Sequence, residues 1–408
     1  MTDEILDFLE QLVKIRSVKA APLHGMPYGE NSAEVLTVFL KKAHDMGFKT
    51  KNFDNYVGTV ESGEGEPKLG ILCHLDVVPE GEGWSYPPYE LTNKDGTLYG
   101  RGTFDDKGPA VAALFALYEA KKHGLKENVR LILGCDEECG SDDLKYYEKC
   151  EPLPNMLFSP DADFPVVNGE MGIIHAVFKN KIADGKISEI SSGSASNAVP
   201  AKANAVLSDG TTVFAEGKSA HASTPQEGEN AAVKLLDKLK ICSEDIKRIA
   251  EKFPCEDFYG KSLGIDSEDK VFGKLTATLT KLSLSDGVLC GTIDIRYPPS
   301  TTLERISKIL ENTFETVEIE GNNPHFVDPE SDFVKSLLEA YEEVTGQKGY
   351  TVTMGGGTYV HDTVGGVAFG MSMPGTNNNI HGADEFITVD ELLRGLEIFK
   401  TAIIKICG

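Results

Sequence analysis

KLGILCHLDVV, residues 68–78, is apolar from Leu69 to Cys73 and turns polar only toward its end. A run this short, with no alternation, has the pattern of a strand buried on both faces whose carboxyl end opens into a site. Downstream, 110–123 carries apolar residues at helical spacing, VRLILGC at 129–135 repeats the buried-strand pattern, and 141–150 reads as another helix. Upstream, 5–16 and 32–46 have the three- and four-residue spacing of helices that pack on a sheet. Strand and helix alternate, so the expected fold is α/β, with a mixed, largely parallel sheet flanked by helices.

The texture changes between 172 and 324. Short alternating segments such as 274–284 and 288–297 predict antiparallel strands, and 230–253 and 301–313 predict helices beside them. After 328 the buried α/β pattern returns, with helices at 331–345 and 389–406 and an apolar strand at 367–371. The expectation is an α/β domain built from 1–171 and 325–408, interrupted by an inserted α+β domain at 172–324.

Composition narrows the function. The 408 residues have 40% hydrophobic and 25% charged content, and a formal charge of -24. So negative a surface disfavours nucleic acid and anionic membranes, which require Lys and Arg to displace counterions. The first 18 residues are acidic and amphipathic, unlike a signal peptide, and no apolar run approaches the ~20 residues that span a bilayer. Eight scattered cysteines without a close CxxC pair suit reduced thiols in the cytoplasm.

Chemistry-bearing residues gather at the predicted strand ends. His74 and Asp76 stand two apart, on one side of the pleat, as suits a metal-bound imidazole whose other nitrogen meets a carboxylate. A capped strand end accounts for that pair equally well. Residues 100–108, GRGTFDDKG, join glycines to two acids ahead of a helix, which gives either hard oxygen ligands or an acidic helix start. Asp136, Glu137 and Glu138 follow the second buried strand, where adjacent acids repel unless cations or hydrogen bonds compensate. Asp161 and His381 add one more carboxylate and one more imidazole. Together they fit a site for two divalent metals sharing a bridging carboxylate, at the strand ends where open α/β sheets bind ligands.

These motifs resemble those of the dinuclear zinc exopeptidases that include aminoacylase, glutamate carboxypeptidase and carnosinase, and most of all the bacterial dipeptidase branch typified by peptidase V. CHLDVVP, GRGTxDDKGP, DEE, SPDA, SAHAS, DIRYP, GGGTY and NIHGADE follow the family order from 73 to 385. The resemblance implies one metal on His74, Asp105 and Asp161, another on Asp105, Glu138 and His381, and a cis peptide between Asp105 and Asp106. It implies that Asp76 orients His74, that Glu137 is the general base for a metal-bridging hydroxide, and that His221 stabilises the oxyanion. Arg296 matches a clamp for the substrate carboxylate, with Asn197 and the backbone around Gly356 adding hydrogen bonds. The metals implied are two zinc ions, with manganese or cobalt as alternatives. The function implied is hydrolysis of dipeptides or very short peptides by a monomer or homodimer whose inserted domain closes as a lid. The alternatives are an N-acyl amino acid deacylase of the same family and a catalytically silent metal-binding homologue.

Overall fold

A computed structural model describes residues 1–408. The chain forms two compact units, one of Met1–Asn168, Phe326–Val352 and Thr358–Gly408, the other of Gly169–His325 with Thr353–Gly357.

The first unit is built on parallel strands in the order Asn128–Gly134, Pro67–His74, Met156–Ser159, Gly366–Ala368. Beside Asn128–Gly134 the sheet continues antiparallel through Val57–Glu61 and Lys49–Phe53. Helices Thr2–Val13, Glu30–Asp45, Lys107–Lys122, Asp332–Thr345 and Val389–Cys407 supply apolar faces to one continuous core. The expected fold class is what the structure contains. The runs at 68–78 and 129–135 become neighbouring parallel strands, and Leu69–Cys73 and Leu131–Cys135 are buried without alternation.

Helix Lys107–Lys122 starts three residues earlier than the expected 110, since Pro109 sits in its first turn, where a missing N–H costs nothing. It is buried nearly all round, and even Lys107 is 0% exposed. That ammonium donates to the carbonyls of Leu12 (2.9 Å) and Ile15 (2.8 Å), just where helix Thr2–Val13 ends, beside the N–H groups of Ile15 and Ser17 that bond the same two oxygens. Burial drives the Lys107 pKa down to about 7. Lys107→Met fills the same space but removes one hydrogen bond from each of the two carbonyls, which keep the N–H groups of Ile15 and Ser17. The expected result is a loss of about 0.5–1.5 kcal/mol per hydrogen bond, measured as a lower thermal unfolding midpoint of the purified variant; an unchanged midpoint refutes it.

The second unit is a seven-stranded antiparallel sheet in the order Thr212–Glu216, Lys202–Leu207, Ile187–Ser192, Thr276–Ser285, Val288–Tyr297, Gly172–Lys181, Thr316–Gly321. Its core joins this sheet to helices Ala231–Leu239, Glu244–Ala250 and Leu303–Thr313. The hairpin Thr276–Ser285/Val288–Tyr297 turns at Asp286-Gly287, both at positive φ, the pairing a tight two-residue turn prefers. One helix expected at 230–253 is in fact two. The Ser243 hydroxyl accepts the Ile246 N–H and caps a new helix, which ends the preceding one.

Candidate metal centre

Three neighbouring parallel strands deliver functional side chains at their carboxyl ends. His74 closes Pro67–His74, Glu137 and Glu138 follow Asn128–Gly134, and Asp161 follows Met156–Ser159. Two loops complete the group: Asp105 precedes helix Lys107–Lys122, and His381, at φ 60°, precedes strand Phe386–Thr388. The Asp105–Asp106 peptide is cis.

The distances bring these side chains into two overlapping sets. His74 Nε2 lies 3.0 Å from Asp105 Oδ1 and 3.7 Å from Asp161 Oδ2. His381 Nε2 lies 2.9 Å from Asp105 Oδ2 and 3.2 Å from Glu138 Oε1. Donor atoms of His74, Glu137 and Asp161 fall within 4.8 Å of one another, as do those of Asp105, Glu138 and His381. Two ligands about 2.0–2.1 Å from a tetrahedral zinc stand about 3.3–3.4 Å apart, in the middle of these separations. Buried atoms at hydrogen-bond distance normally bond. Here His74 Nε2, Asp105 Oδ1 and Glu138 Oε1 are buried and make no hydrogen bond. Nitrogen and carboxylate donors left open in this way fit a pair of divalent cations.

The electrostatics agree. Burial pushes the Glu137 carboxyl well above the usual range, Asp161, Glu138 and Asp105 adding to it while His74 opposes. Burial and then Asp105 push Asp161 up to about 7. Burial alone would strip His74 of its proton, yet the neighbouring carboxylates of Asp105, Asp161 and Asp76 hold its pKa well above the ordinary histidine value. Asp105 and Glu138 push His381 up to about 10. Each imidazole must shed its proton before its lone pair reaches a cation, so metal uptake here releases protons.

Several carboxylates hold the donors in place. Asp76 does so twice. Its backbone carbonyl is the hydrogen-bond partner of His74 Nδ1 at 3.1 Å, with its Oδ1 3.4 Å from the same nitrogen, and its two carboxylate oxygens accept the backbone N–H groups of Glu137 and Glu138, each at 3.2 Å. Asp106 accepts the His74 N–H at 3.0 Å. Asp143 accepts the N–H groups of Cys135 (2.6 Å) and Asp136 (2.9 Å) and the Tyr359 hydroxyl. Gly134 must be glycine, since a Cβ there would meet the Tyr359 oxygen at 1.8 Å. Sequence reasoning gave Asp76 only its histidine and missed Asp106 and Asp143, which act through backbone amides that no motif marks.

The second unit gathers its own cluster. The Asn197 carbonyl accepts the Ala222 N–H (2.9 Å), which ties Asn197 to the loop of His221. His221 Nδ1 accepts the Ser223 N–H at 3.2 Å and lies 2.7 Å from the Ser223 hydroxyl. An amide N–H only donates, so Nδ1 carries the lone pair and the neutral ring holds its proton on Nε2. Burial, then the Arg296 charge, lowers the His221 pKa and favours that neutral form. Arg296 is buried, with Nε and Nη2 on Asp294 (2.7 and 2.8 Å) and Nη1 on the Gly355 carbonyl (3.0 Å). That leaves two of a guanidinium's five N–H groups for a ligand. Gly355, rather than its neighbour Gly356, makes this contact, and a Cβ on Gly355 would lie 3.0 Å from Ser223 Cβ.

A mixed α/β sheet that gathers histidine and carboxylate donors at the ends of its parallel strands, with one aspartate between two imidazoles, is the architecture of a class of metal-dependent hydrolases. The model of peptidase family M20/M25/M40 matches residues 70–405, and the chain belongs to that family. It is 35% identical to a putative dipeptidase of Bacillus subtilis, covering 99% of this chain and 97% of the relative. It is 33% identical to the beta-Ala-Xaa dipeptidase of Lactobacillus delbrueckii, covering 99% and 96%. The crystal structure of human carnosine dipeptidase 1 superposes with a TM-score of 0.65 at 16% identity, covering 99% and 96%, a likeness of fold. No helix is long and apolar enough to cross a membrane.

Proposed function

We propose that this chain is a dipeptidase that works with two divalent cations, one held by His74, Asp105 and Asp161 and the other by Asp105, Glu138 and His381. The observation that carries the reading is the sharing of Asp105, whose two oxygens stand 3.0 Å from His74 Nε2 and 2.9 Å from His381 Nε2. Nitrogen and oxygen donors at these separations suit zinc, with manganese and cobalt the alternatives that carboxylate-rich sites also accept. Bound there, the cations supply Lewis acidity to the scissile carbonyl and lower the pKa of a water.

The chain's residues do the rest. Glu137 takes the proton of the attacking water and returns it to the leaving amine, a task for a buried carboxyl with a raised proton affinity. Asp76 fixes His74 on one side and the backbone of Glu137 on the other, so base and ligand share one anchor. His221 serves as a donor through Nε2–H to the developing oxyanion, the role that its tautomer supports. Arg296 pairs with the substrate's terminal carboxylate, while Asn197 and the glycines at 355–357 line the same region. In this reading residues 172–324 form the inserted lid, and the working form is a monomer or a homodimer.

Two full-length relatives called dipeptidases, at 35% and 33% identity, support dipeptides as substrates. Eight unpaired cysteines support the reducing cytoplasm as its compartment. The test is metal analysis of the purified protein together with a substrate panel. Expected are two ions per chain, with amino acids released from dipeptides. Acetate released from N-acetyl amino acids in preference would make it a deacylase, and ion binding without any turnover would make it a silent homologue.

A further inference from the structure

The loop that carries Asp105 and the segment that carries His381 are joined by one carboxylate to which the proposed chemistry gives no role. Glu385 is 0% exposed. Its oxygens accept the backbone N–H groups of Gly102 (3.0 Å), Phe104 (2.9 Å) and Asp105 (3.1 Å), together with Arg101 Nη1 at 2.6 Å. Arg101 is 1% exposed, and its Nη2 donates to the carbonyl of Gly382, the residue after His381, at 3.1 Å. Its guanidinium also lies 5.2 Å from the ring centre of Trp84, the only tryptophan. Just outside, Phe386 pairs with Tyr99, so the two segments enter the site from adjacent antiparallel strands.

A buried ion pair of this kind is an expensive way to stabilise a fold, because desolvating both charges offsets their attraction and an apolar pair of equal volume does as well. What such a pair does give is a fixed arrangement. Three amides of one loop and one guanidinium saturate the carboxylate, leaving it one geometry. That geometry sets Asp105 against His381.

We propose that Glu385 is a positioning residue for the metal centre, fixing the distance between the shared ligand Asp105 and His381 and thereby the affinity for the cation at Asp105, Glu138 and His381. The inference rests on the two-cation reading above. Loss of an outer partner of this kind costs about 10–100-fold in metal affinity. It falls mainly on the cation of Asp105, Glu138 and His381, because Glu385 and Arg101 act on the segments of two of its ligands, Asp105 and His381, and on only one ligand of the other ion.

The experiment titrates zinc into chelator-treated wild type, Glu385→Gln and Glu385→Asp, by calorimetry, with Trp84 emission and thermal melting followed in parallel. Glu385→Gln turns an amide toward four donors, and Glu385→Asp keeps the charge but cannot reach them all. Expected for wild type are two equivalents. For Glu385→Gln the second binds about 10–100-fold more weakly, Trp84 emission shifts as Arg101 is released, and kcat falls with KM little changed. Glu385→Asp should lie between. A folded Glu385→Gln or Glu385→Asp that takes up the second ion as tightly as wild type overturns the inference. Failure of wild type itself to bind two ions overturns instead the reading beneath it.

Discussion

Glu137→Ala is expected to lower kcat by about 10²–10⁴-fold, the range a positioned general base contributes, while leaving both ions bound. The separation of the two effects follows from the geometry. Glu137 is close enough to His74 and Asp161 for their donor atoms to share a 4.8 Å neighbourhood, yet in the proposed arrangement Asp105, Glu138, Asp161 and the two histidines would hold both cations without it. Burial raises the proton affinity of its carboxyl, and His74 opposes that through its charge alone. Metal analysis and steady-state kinetics on the same preparation read the two quantities. Glu137→Gln, equal in size but unable to take a proton, should be as inactive as the alanine variant. Retained turnover in the glutamine variant would remove Glu137 from the base role, and loss of an ion in either variant would make it a ligand.

Much of this site is legible in the amino-acid sequence, and the reason is chemical. Ligand residues need particular side chains at strand ends, so KLGILCHLDVV and VRLILGC announce both the sheet and the position of His74 and the Asp136–Glu138 triplet. The residues that hold the ligands are another matter. Asp76, Asp143 and Glu385 act on backbone N–H groups contributed by distant segments, and every residue but proline has one. A sequence therefore shows the acceptor and hides its donors. Glu385 lies inside NIHGADE, but nothing in that motif points to Gly102, Phe104 or Asp105. The tautomer of His221 is hidden for the same reason, since the amide of Ser223 decides it. The boundary errors have local causes. The helix expected from 110 begins at Lys107 because Pro109 fits its first turn, and Ser243 is a cap set within what looks like one amphipathic run.

Asp105→Ala is expected to empty the centre of both ions at once, where His381→Ala should release one. Asp105 is the only side chain within 3.0 Å of both imidazole nitrogens, one oxygen facing each. In the two-cation reading, removing it takes a ligand from each cation and leaves His74 Nε2 and His381 Nε2 without the carboxylate between them. The cost per ion should exceed the roughly 10–100-fold that follows loss of an outer partner, because a direct ligand is gone. Dialysis against a weak chelator followed by metal analysis distinguishes the cases: two ions per chain in wild type, about one in His381→Ala, and close to none in Asp105→Ala, with hydrolysis lost in the last. Asp105→Asn sharpens the test, since an amide oxygen can still contact one cation but carries no charge to share between two. Should Asp105→Asn and Asp105→Ala both keep two tightly held ions, Asp105 does not bridge, and the two sets of donors are separate sites that happen to be neighbours.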